Sequence, residues 1–168
     1  MKLIRTANEM YMDSFKWDFR FVELAEHFST WSKDPSTRIG AVAVSVNRQI
    51  LSIGWNGFPR GIADTEPRLN DRETKYKHVV HAEQNCIYNA CHNGISLCGS
   101  SLFVYGLPVC GECSKAIVQV GVQRVVCGFD GMYKENWKES VAFAEGIFKE
   151  ADIELTYYSR RENVWHQL

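Results

Sequence analysis

Two short segments of the sequence carry side chains that can bind a metal ion and move protons. The first contains His81 and Glu83, and the second contains Cys110 and Cys113. Each segment is predicted to open a helix, and two cysteines three residues apart lie on one face of the first helical turn. The helix N-terminus favours the thiolate form that binds metal. With His81, the two cysteines leave the fourth tetrahedral position of Zn²⁺ open to water, so the spacing predicts one catalytic zinc ion per subunit.

Glu83 is predicted to move protons without being a metal ligand. It lies two residues from His81, about 200° around a helix, so the two side chains are badly placed to chelate one ion. His-x-Glu together with Pro-Cys-x-x-Cys is the signature of zinc deaminases that act on cytosine or adenine rings. Val109 makes the step from Pro108 to Cys110 one residue longer than in that signature. The Cys-x-x-Cys spacing is the same as in the signature. The sequence does not predict the conformation of the longer turn before Cys110.

Each segment alone also has a simpler interpretation. A lone Cys-x-x-Cys is often a pair of buried thiols or half of a structural zinc site, and a lone His-x-Glu occurs by chance in many helices. Their combination favours the catalytic interpretation, whereas a fourth ligand from Cys86 or Cys91 would produce a closed structural site. In the catalytic case the other cysteines are expected to be core or partly buried thiols: Cys86, Cys91, Cys98 and Cys127.

The composition limits the kind of protein that carries these segments. The chain has 168 residues, a formal charge of −1 and 45% hydrophobic residues, which predicts one globular domain over 1–168. Long nucleic acid usually demands a basic surplus, so the charge favours a small partner and no stable nucleic acid partner. No stretch approaches the roughly 20 apolar residues of a membrane span, and the first residues lack a secretory apolar core. We therefore expect a cytoplasmic protein with no membrane partner.

Hydrophobic periodicity predicts an α/β domain with an irregular or partly helical lead-in over 1–16 and a core over about 17–158. The alternation of strands and helices, with a connection long enough for a right-handed parallel crossover, predicts a mixed sheet with helices on both faces. A polar segment over 62–77 is expected to lie on the surface. The predicted helices span 17–32, 81–93, 110–120 and 137–149, and the predicted strands span 39–46, 49–55, 102–106, 122–127 and 153–158.

Four segments of the chain resemble the deoxycytidylate deaminases of the cytidine deaminase fold. They span 32–42, 54–61, 81–85 and 110–121, and the resemblance runs from about Trp17 to Tyr158. It implies a three-layer α/β fold with a five-stranded mixed sheet in the order 2-1-3-4-5, in which the last two strands are parallel. It also implies a hydrolase that acts on the C–N bond of a cyclic amidine, converting dCMP to dUMP and ammonia in pyrimidine deoxynucleotide metabolism.

The resemblance assigns roles to several side chains. Glu83 is expected to protonate N3 of cytosine and later the departing amine, while zinc lowers the pKa of its bound water toward 7. Asn56 is expected to bind the sugar hydroxyl, since the hairpin turn at 47–48 already supplies the tight turn that Asn-Gly would otherwise form. The remaining expected substrate contacts are Ser36 and Arg38, which look like phosphate contacts, together with Ala82 and Tyr133.

Other cationic side chains near these residues are expected to be solvated. Lys33 is expected to be part of a solvated basic loop. Arg60, Arg68, Arg72 and Lys75 could face a nucleotide phosphate or only water, and their Asp and Glu neighbours favour water.

The loop over 54–61 is also a candidate regulatory site. Gly57, Arg60 and Gly61 could present backbone N–H groups and one cation to phosphates. Deoxycytidylate deaminases of this kind are often homo-oligomers, activated by dCTP and inhibited by dTTP. The resemblance therefore implies a homo-oligomer, a hexamer or dimer, in which the loop adjoins the active site through Asn56. The alternative is an ordinary glycine-rich surface loop.

Two other functions compete with a nucleotide deaminase. A tRNA adenosine deaminase, or another nucleobase or polynucleotide deaminase on the same scaffold, would share the zinc site but should show a basic surface. The neutral charge and the loop over 32–38 favour the nucleotide enzyme. A structural zinc module without catalysis is disfavoured by Glu83 beside an open metal position.

Overall fold

A computed structural model of the chain describes residues 7–129, 135–159 and 164–167. The helices in these ranges are α1 (Ala7–Ser29), α2 (Glu66–Asn70), α3 (Arg72–His78), α4 (Ala82–His92), α5 (Gly111–Gln119) and α6 (Glu135–Glu150). The strands are β1 (Gly40–Val44), β2 (Ile50–Trp55), β3 (Ser101–Tyr105), β4 (Arg124–Gly128), β5 (Glu154–Ser159) and β6 (Val164–Gln167). None of the helices in these ranges has the length and apolar character of a membrane span.

The strands form one mixed sheet in the order β2-β1-β3-β4-β5-β6. The expected order 2-1-3-4-5 is confirmed, and β4 and β5 are parallel as expected. The sheet also has a sixth strand, β6, which pairs antiparallel with β5 at the edge. The sequence did not predict β6 because a four-residue strand is too short to show a clear alternation of apolar and polar residues.

Helices cover both faces of this sheet, which confirms the three-layer expectation. On one face, α1 inserts Phe21, Val22 and Ala25 against Phe103 and Val126. The other face is covered by α4, α5 and α6, whose buried side chains include Cys86, Ala90, Ile117 and Phe148. Burial of these side chains is the main stabilising contribution, at about 25 cal/mol for each Å² of apolar surface removed from water.

Helix α1 differs from its predicted bounds at both ends. It begins at Ala7, within the expected lead-in, and ends at Ser29 rather than near Ser32. Beyond Ser29, the amides of Thr30 and Trp31 bond to carbonyls three residues back, so the last turn tightens before the loop. The spacing of apolar residues that predicts the helix does not show where its last turn tightens.

Close packing at Gly54 seats α4 on strand β2. A Cβ atom at this position would lie 2.3 Å from the Cys86 amide nitrogen and 2.4 Å from the Ala82 carbonyl oxygen. Only glycine allows the two backbones to approach this closely. The contact fixes the first turn of α4, which carries Glu83, against the sheet.

The polar segment over 62–77 contains two short helices that the sequence did not predict. Pro67 lies in the first turn of α2, and the Asp71 carboxylate caps α3 by accepting a 2.7 Å hydrogen bond from the Thr74 amide. Leu69 and Lys75 from this segment are buried, so it is only partly a surface element.

Candidate active site

The three predicted zinc ligands meet where two helices begin. His81 is the N-cap residue of α4, and Cys110 is the N-cap residue of α5, with Cys113 in the first turn of α5. The His81 Nδ1 atom lies 3.4 Å from the Sγ atoms of both Cys110 and Cys113. All three ligand atoms lie within 4.8 Å of one another. Residues from separate parts of the chain therefore present one nitrogen and two sulfur atoms to a common point.

The donor set and its spacing fit a tetrahedral zinc ion. With Zn–S of about 2.3 Å and Zn–N of about 2.0–2.1 Å, neighbouring nitrogen and sulfur ligands of such an ion lie about 3.5 Å apart. The observed 3.4 Å separations agree with this value. A hydrogen bond with the Cys113 thiol, which outweighs burial, lowers the pKa of Cys110 to about 4, and His81 adds to the effect. Cys110 therefore favours the thiolate that zinc requires, whereas the same hydrogen bond raises the pKa of Cys113, so the pair shares one proton that a bound metal ion would displace.

No fourth protein ligand joins this cluster among the residues that the structure describes. Cys86 is buried within α4, and burial raises the pKa of its thiol to about 12. Cys91 is exposed. The closed structural site that either cysteine would have formed is absent from the described ranges, and one tetrahedral position is left for water or substrate.

Two of the other cysteines differ from expectation. Cys86 and Cys127 are buried as expected, but Cys91 and Cys98 are exposed, so their predicted burial is wrong. Cys91 lies in the last turn of α4, and Cys98 lies in the loop that precedes β3. Neither position belongs to an apolar stripe that faces the sheet.

The additional residue before Cys110 is absorbed by the core. Val109 is buried, with 2% of its surface exposed, in the cluster formed by α4, α5 and the sheet. Because its side chain points inward, Cys110 still reaches the N-cap position of α5. The longer turn therefore leaves the ligand set intact.

Glu83 lies beside the ligand cluster and is not part of it. Its side chain is almost completely buried, with 4% of the residue exposed, and it lines the same cavity as His81. Burial raises the pKa of the Glu83 carboxyl group, and the nearby His81 opposes the rise. A carboxyl group with a raised pKa can accept and donate a proton close to neutrality.

A cavity of about 740 Å³ opens next to these groups. One part of its lining, the metal wall, consists of His81, Ala82, Glu83 and Cys110. A second part, the cationic wall, consists of Asp34, Ser36, Arg72, Lys75 and Tyr76, which come from the turn before β1 and from α3.

Asn56 lines the same cavity and is held by its side-chain amide. Its Oδ1 atom accepts a 2.8 Å hydrogen bond from the Ile39 amide, and its Nδ2 atom donates a 2.9 Å bond to the Thr37 carbonyl. An amide side chain has two N–H donors and two oxygen lone pairs, so one of each remains for a ligand.

The turn over 34–37 is organised by the Asp34 carboxylate. The Oδ1 atom accepts bonds from the amides of Ser36 and Thr37, at 2.8 and 3.0 Å, and from Lys75 Nζ at 3.1 Å. Burial by itself would raise the pKa of Asp34, but these hydrogen bonds together outweigh it and lower the pKa. The carboxylate is therefore ionised at neutral pH, and it holds Ser36 at the cavity.

Arg38 lies outside the lining of this cavity. Its side chain is exposed, and Nε donates a long 3.4 Å hydrogen bond to the Asp34 carbonyl. Lys33 is exposed and forms a surface ion pair with Asp64 at 2.9 Å. Of the residues expected near the phosphate, Ser36 alone lines the cavity.

The expectation that Lys75 faces water is wrong. Only 11% of its side chain is exposed, and its ammonium group bonds to Asp34 and Ser36. Arg72 also lines the cavity, whereas Arg60 bonds to the half-buried Asn89 side chain. Lys75 was missed because its partners lie about forty positions away in the sequence, where charge neighbours along the chain give no signal.

Helix α6 contributes two further residues that the sequence did not assign to the site. Asn136 and Trp137 line the cavity, and the Trp137 ring stands edge-on to His81 with 6.4 Å between ring centroids. A tryptophan at the start of an amphipathic helix has no fixed spacing to the metal motifs, so no sequence signal marked it. The predicted substrate contact Tyr133 lies outside the described residues.

The candidate regulatory loop adjoins the cavity. Gly57 exchanges two backbone hydrogen bonds with Val80, just before His81, and Gly61 has a φ angle of 78°. A second cavity of about 90 Å³ is lined by Gly57 and Phe58 and shares Asp34, Asn56 and Lys75 with the larger cavity.

Known proteins with a related sequence or structure match most of the chain. An uncharacterized deaminase in the luxG 3' region of Aliivibrio fischeri is 37% identical over 143 residues, which cover 84% of this chain and 93% of that protein. The deoxycytidylate deaminase of Mus musculus is 35% identical over 146 residues, covering 84% of this chain and 79% of that protein. The crystal structure of dCMP deaminase from the cyanophage S-TIM5, in complex with dCMP and dUMP, superposes with a TM-score of 0.67 at 26% identity. That match covers 84% of this chain and 96% of the cyanophage chain.

Residues 15–129 match the family described as cytidine and deoxycytidylate deaminase zinc-binding region. The matched range contains all three ligands of the cluster, and together they confirm the prediction of one zinc ion per subunit. By its sequence, its sheet order and its metal-ligand set, this chain belongs to the zinc-binding family of cytidine and deoxycytidylate deaminases.

Proposed function

We propose that the protein is a zinc-dependent hydrolase that converts dCMP to dUMP and ammonia. The observation that carries this proposal is the three-ligand cluster with buried Glu83 beside it, in a cavity that also presents cations. The cavity volume of about 740 Å³ lies within the range of about 300–1,000 Å³ that is usual for small-molecule sites. The mouse relative is named a deoxycytidylate deaminase, and the cyanophage enzyme is a dCMP deaminase in complex with dCMP and dUMP.

The chemistry is divided between the metal site and Glu83. A zinc ion held by His81, Cys110 and Cys113 supplies Lewis acidity, which lowers the pKa of water from about 15.7 toward 7. Glu83 accepts a proton from the attacking water and delivers it to N3 of the cytosine ring. It then transfers the second water proton to the amino group that leaves C4 as ammonia. Its burial and raised pKa support this double role.

The remaining substrate contacts are assigned by the groups that line the cavity. Asn56 binds the sugar hydroxyl through the N–H and lone pair that its own hydrogen bonds leave over. Ala82 is the first residue of α4, so its amide lacks an intrahelical acceptor and can donate to the base. Ser36 contacts the phosphate, with Arg38 reaching it from outside the lining residues, and Tyr133 completes the nucleotide contacts.

We further propose a homo-oligomer, a hexamer or dimer, that dCTP activates and dTTP inhibits at the loop of Gly57, Arg60 and Gly61. The position of Gly57 supports this role, because Gly57 lines the second cavity together with Asn56, which also lines the substrate cavity. An effector bound at the loop would thereby change the position of the sugar-binding amide. We expect a sigmoidal dCMP curve that dCTP makes hyperbolic. Superimposable hyperbolas with and without effector would contradict the regulation and leave the deaminase assignment intact.

The partner and the location follow from charge and thiol chemistry. A formal charge of −1 supports a free nucleotide as partner rather than nucleic acid. All six cysteines are free thiols, which supports the reducing cytoplasm as the location.

The proposal is tested by following dUMP and ammonia after zinc-loaded protein is mixed with dCMP. Equal molar amounts of the two products are expected, with loss of turnover on chelation and recovery when zinc is added back. Unchanged dCMP in the presence of protein that holds one zinc per chain would contradict the proposed function.

A further inference from the structure

We propose that Lys75, with Arg72 beside it on α3, is the main cationic anchor for the phosphate group of the nucleotide. This inference rests on the proposed function, because it identifies the residues that recognise the phosphate of the same substrate. It places the cationic contact to the phosphate on α3, next to Ser36, where the sequence had given that contact to Arg38.

Lys75 is held in the cavity wall with part of its hydrogen-bonding capacity unused. Its side chain is 11% exposed, and its Nζ atom donates to Asp34 Oδ1 at 3.1 Å and to the Ser36 hydroxyl. An ammonium group has three N–H donors, so one remains after these two bonds. Burying an ammonium group is costly unless it is paired, which makes Lys75 unusual among the lysines of α3. Lys77, two residues on, has 67% of its side chain exposed.

Asp34 positions the ammonium group before any ligand arrives. The Asp34 carboxylate accepts hydrogen bonds from two backbone amides of its own turn, so its location is set by the main chain. It bonds in turn to Lys75 and to the Ser36 hydroxyl. Cation and hydroxyl are thus pre-organised as neighbouring groups on one surface of the cavity, which lowers the entropic cost of binding an anion.

The charge balance of the cationic wall suits a phosphate monoester. Asp34 neutralises one positive charge, and Arg72 supplies a second cation that forms no ion pair within the described part of the chain. The Arg72 guanidinium lies over the Tyr76 ring at 5.3 Å. A phosphate monoester carries a charge of about −1.5 to −2 near neutral pH. A triphosphate would bring further negative charge that no other cation among the described lining residues balances, so this wall favours the monophosphate.

A purely structural role for Lys75 makes a different prediction from phosphate binding. If Lys75 served only to hold the turn over 34–37, its loss would weaken all ligands of the cavity together, because Asn56 bonds to the same turn. If Lys75 binds phosphate, its loss weakens only ligands that carry a phosphate. A pair of ligands that differ in the phosphate alone therefore separates the two roles.

The test measures the binding of dUMP and of deoxyuridine to zinc-loaded wild type and to Lys75→Met, which keeps the aliphatic stem and removes the charge. Hydrogen bonds to charged groups contribute enough to predict about 10- to 100-fold weaker dUMP binding, with deoxyuridine binding changed less than about 2-fold. KM for dCMP should rise in parallel with the dUMP dissociation constant. Lys77→Met is the matched control on the same helix and should bind both ligands like wild type.

Equal weakening of dUMP and deoxyuridine in Lys75→Met would overturn the proposal, as would unchanged dUMP binding. Zinc content and thermal unfolding show whether the variant folds. If it does not, Arg72→Gln at an exposed position provides the same pair of measurements, and an unchanged preference for dUMP over deoxyuridine then overturns the proposal. A wild type that binds dUMP without converting dCMP would contradict the proposed function and not this inference.

Discussion

The metal wall and the cationic wall of the cavity are built in different ways. Each residue of the metal wall lies at the start of a helix that packs on the sheet, and the two segments that meet there, 81–83 and 110–113, each carry a short motif of fixed spacing. The cationic wall joins a turn before β1 to a short helix on the surface, through the contact of Lys75 with Asp34. The residues of the reaction chemistry thus belong to short motifs that the sequence shows, whereas recognition of the rest of the nucleotide depends on contacts between residues that share no motif.

Removing a zinc ligand should have the largest effect on the metal wall. Cys110→Ala and His81→Ala are expected to lose both bound zinc and turnover, because two protein ligands hold the ion much less tightly than three. Metal content by atomic absorption and the rate of dUMP formation measure the two effects. Cys91→Ala, at an exposed cysteine, is the control and should keep both. Full zinc occupancy in Cys110→Ala would contradict the ligand assignment.

Glu83→Gln should separate chemistry from metal binding within the same wall. The amide cannot shuttle protons but has nearly the same shape, so we expect full zinc content, normal dUMP binding and a kcat reduced about 10²- to 10⁴-fold. Glu112→Gln changes an exposed carboxylate that pairs with Lys115 in the first turn of α5. This control should turn over like wild type, and a near-normal rate in Glu83→Gln would refute its proton-transfer role.

The two walls also differ in how far the sequence predicted them. The ligand set and the helices on both faces could be predicted because they rest on spacing or periodicity along the chain, whereas the order of the first five strands followed from the resemblance to deoxycytidylate deaminases. The sequence did not predict the conformation of the turn that contains the additional residue Val109. In the structure, the Val109 side chain is buried in the core. Cys91 and Cys98 were misjudged because composition alone does not tell which face of an element a thiol occupies.

The cationic wall was misjudged for a different reason. Lys75 lies among acidic neighbours in the sequence, which favoured a solvated side chain, but α3 turns it toward Asp34 and away from those neighbours. Arg38 has the expected chemistry, yet its side chain lies outside the cavity lining. Trp137 reaches the cavity from an element with no motif. In each case a tertiary contact decided the position of the side chain.

Asn56→Ala should affect both substrate binding and stability, because this residue lines the cavity and also holds the turn before β1. Its loss removes the sugar contact and leaves the Ile39 amide and the Thr37 carbonyl without their partner. We expect a higher KM for dCMP and a free energy of unfolding lowered by about 1–3 kcal/mol. Asn47→Ala in the exposed hairpin turn is the control. Normal stability with a raised KM would show that the amide acts on the ligand alone.

The smallest effect on activity is expected for an ion pair remote from both walls. Asp18 on α1 accepts hydrogen bonds from the Arg124 guanidinium on β4, one of them at 2.8 Å, and Asp18 is buried. Asp18→Asn should lower the free energy of unfolding by about 1–3 kcal/mol, because the hydrogen bonds lose their charge. Denaturant unfolding measures the loss, and kcat and KM for dCMP should stay within about 2-fold of wild type. A large change in KM would show that packing of α1 on the sheet controls the cavity.

The central claim, that one cavity deaminates cytosine at the metal wall and recognises a free nucleotide elsewhere, is tested most directly by a substrate comparison. Initial rates of ammonia release are measured for zinc-loaded protein with dCMP, dCTP, deoxycytidine, CMP, a short single-stranded DNA and a tRNA anticodon stem-loop. The account predicts the highest kcat/KM for dCMP, with weak activity on deoxycytidine because the phosphate contact is lost. Ammonia release from the stem-loop adenosine with no turnover of dCMP would contradict it and identify a polynucleotide deaminase.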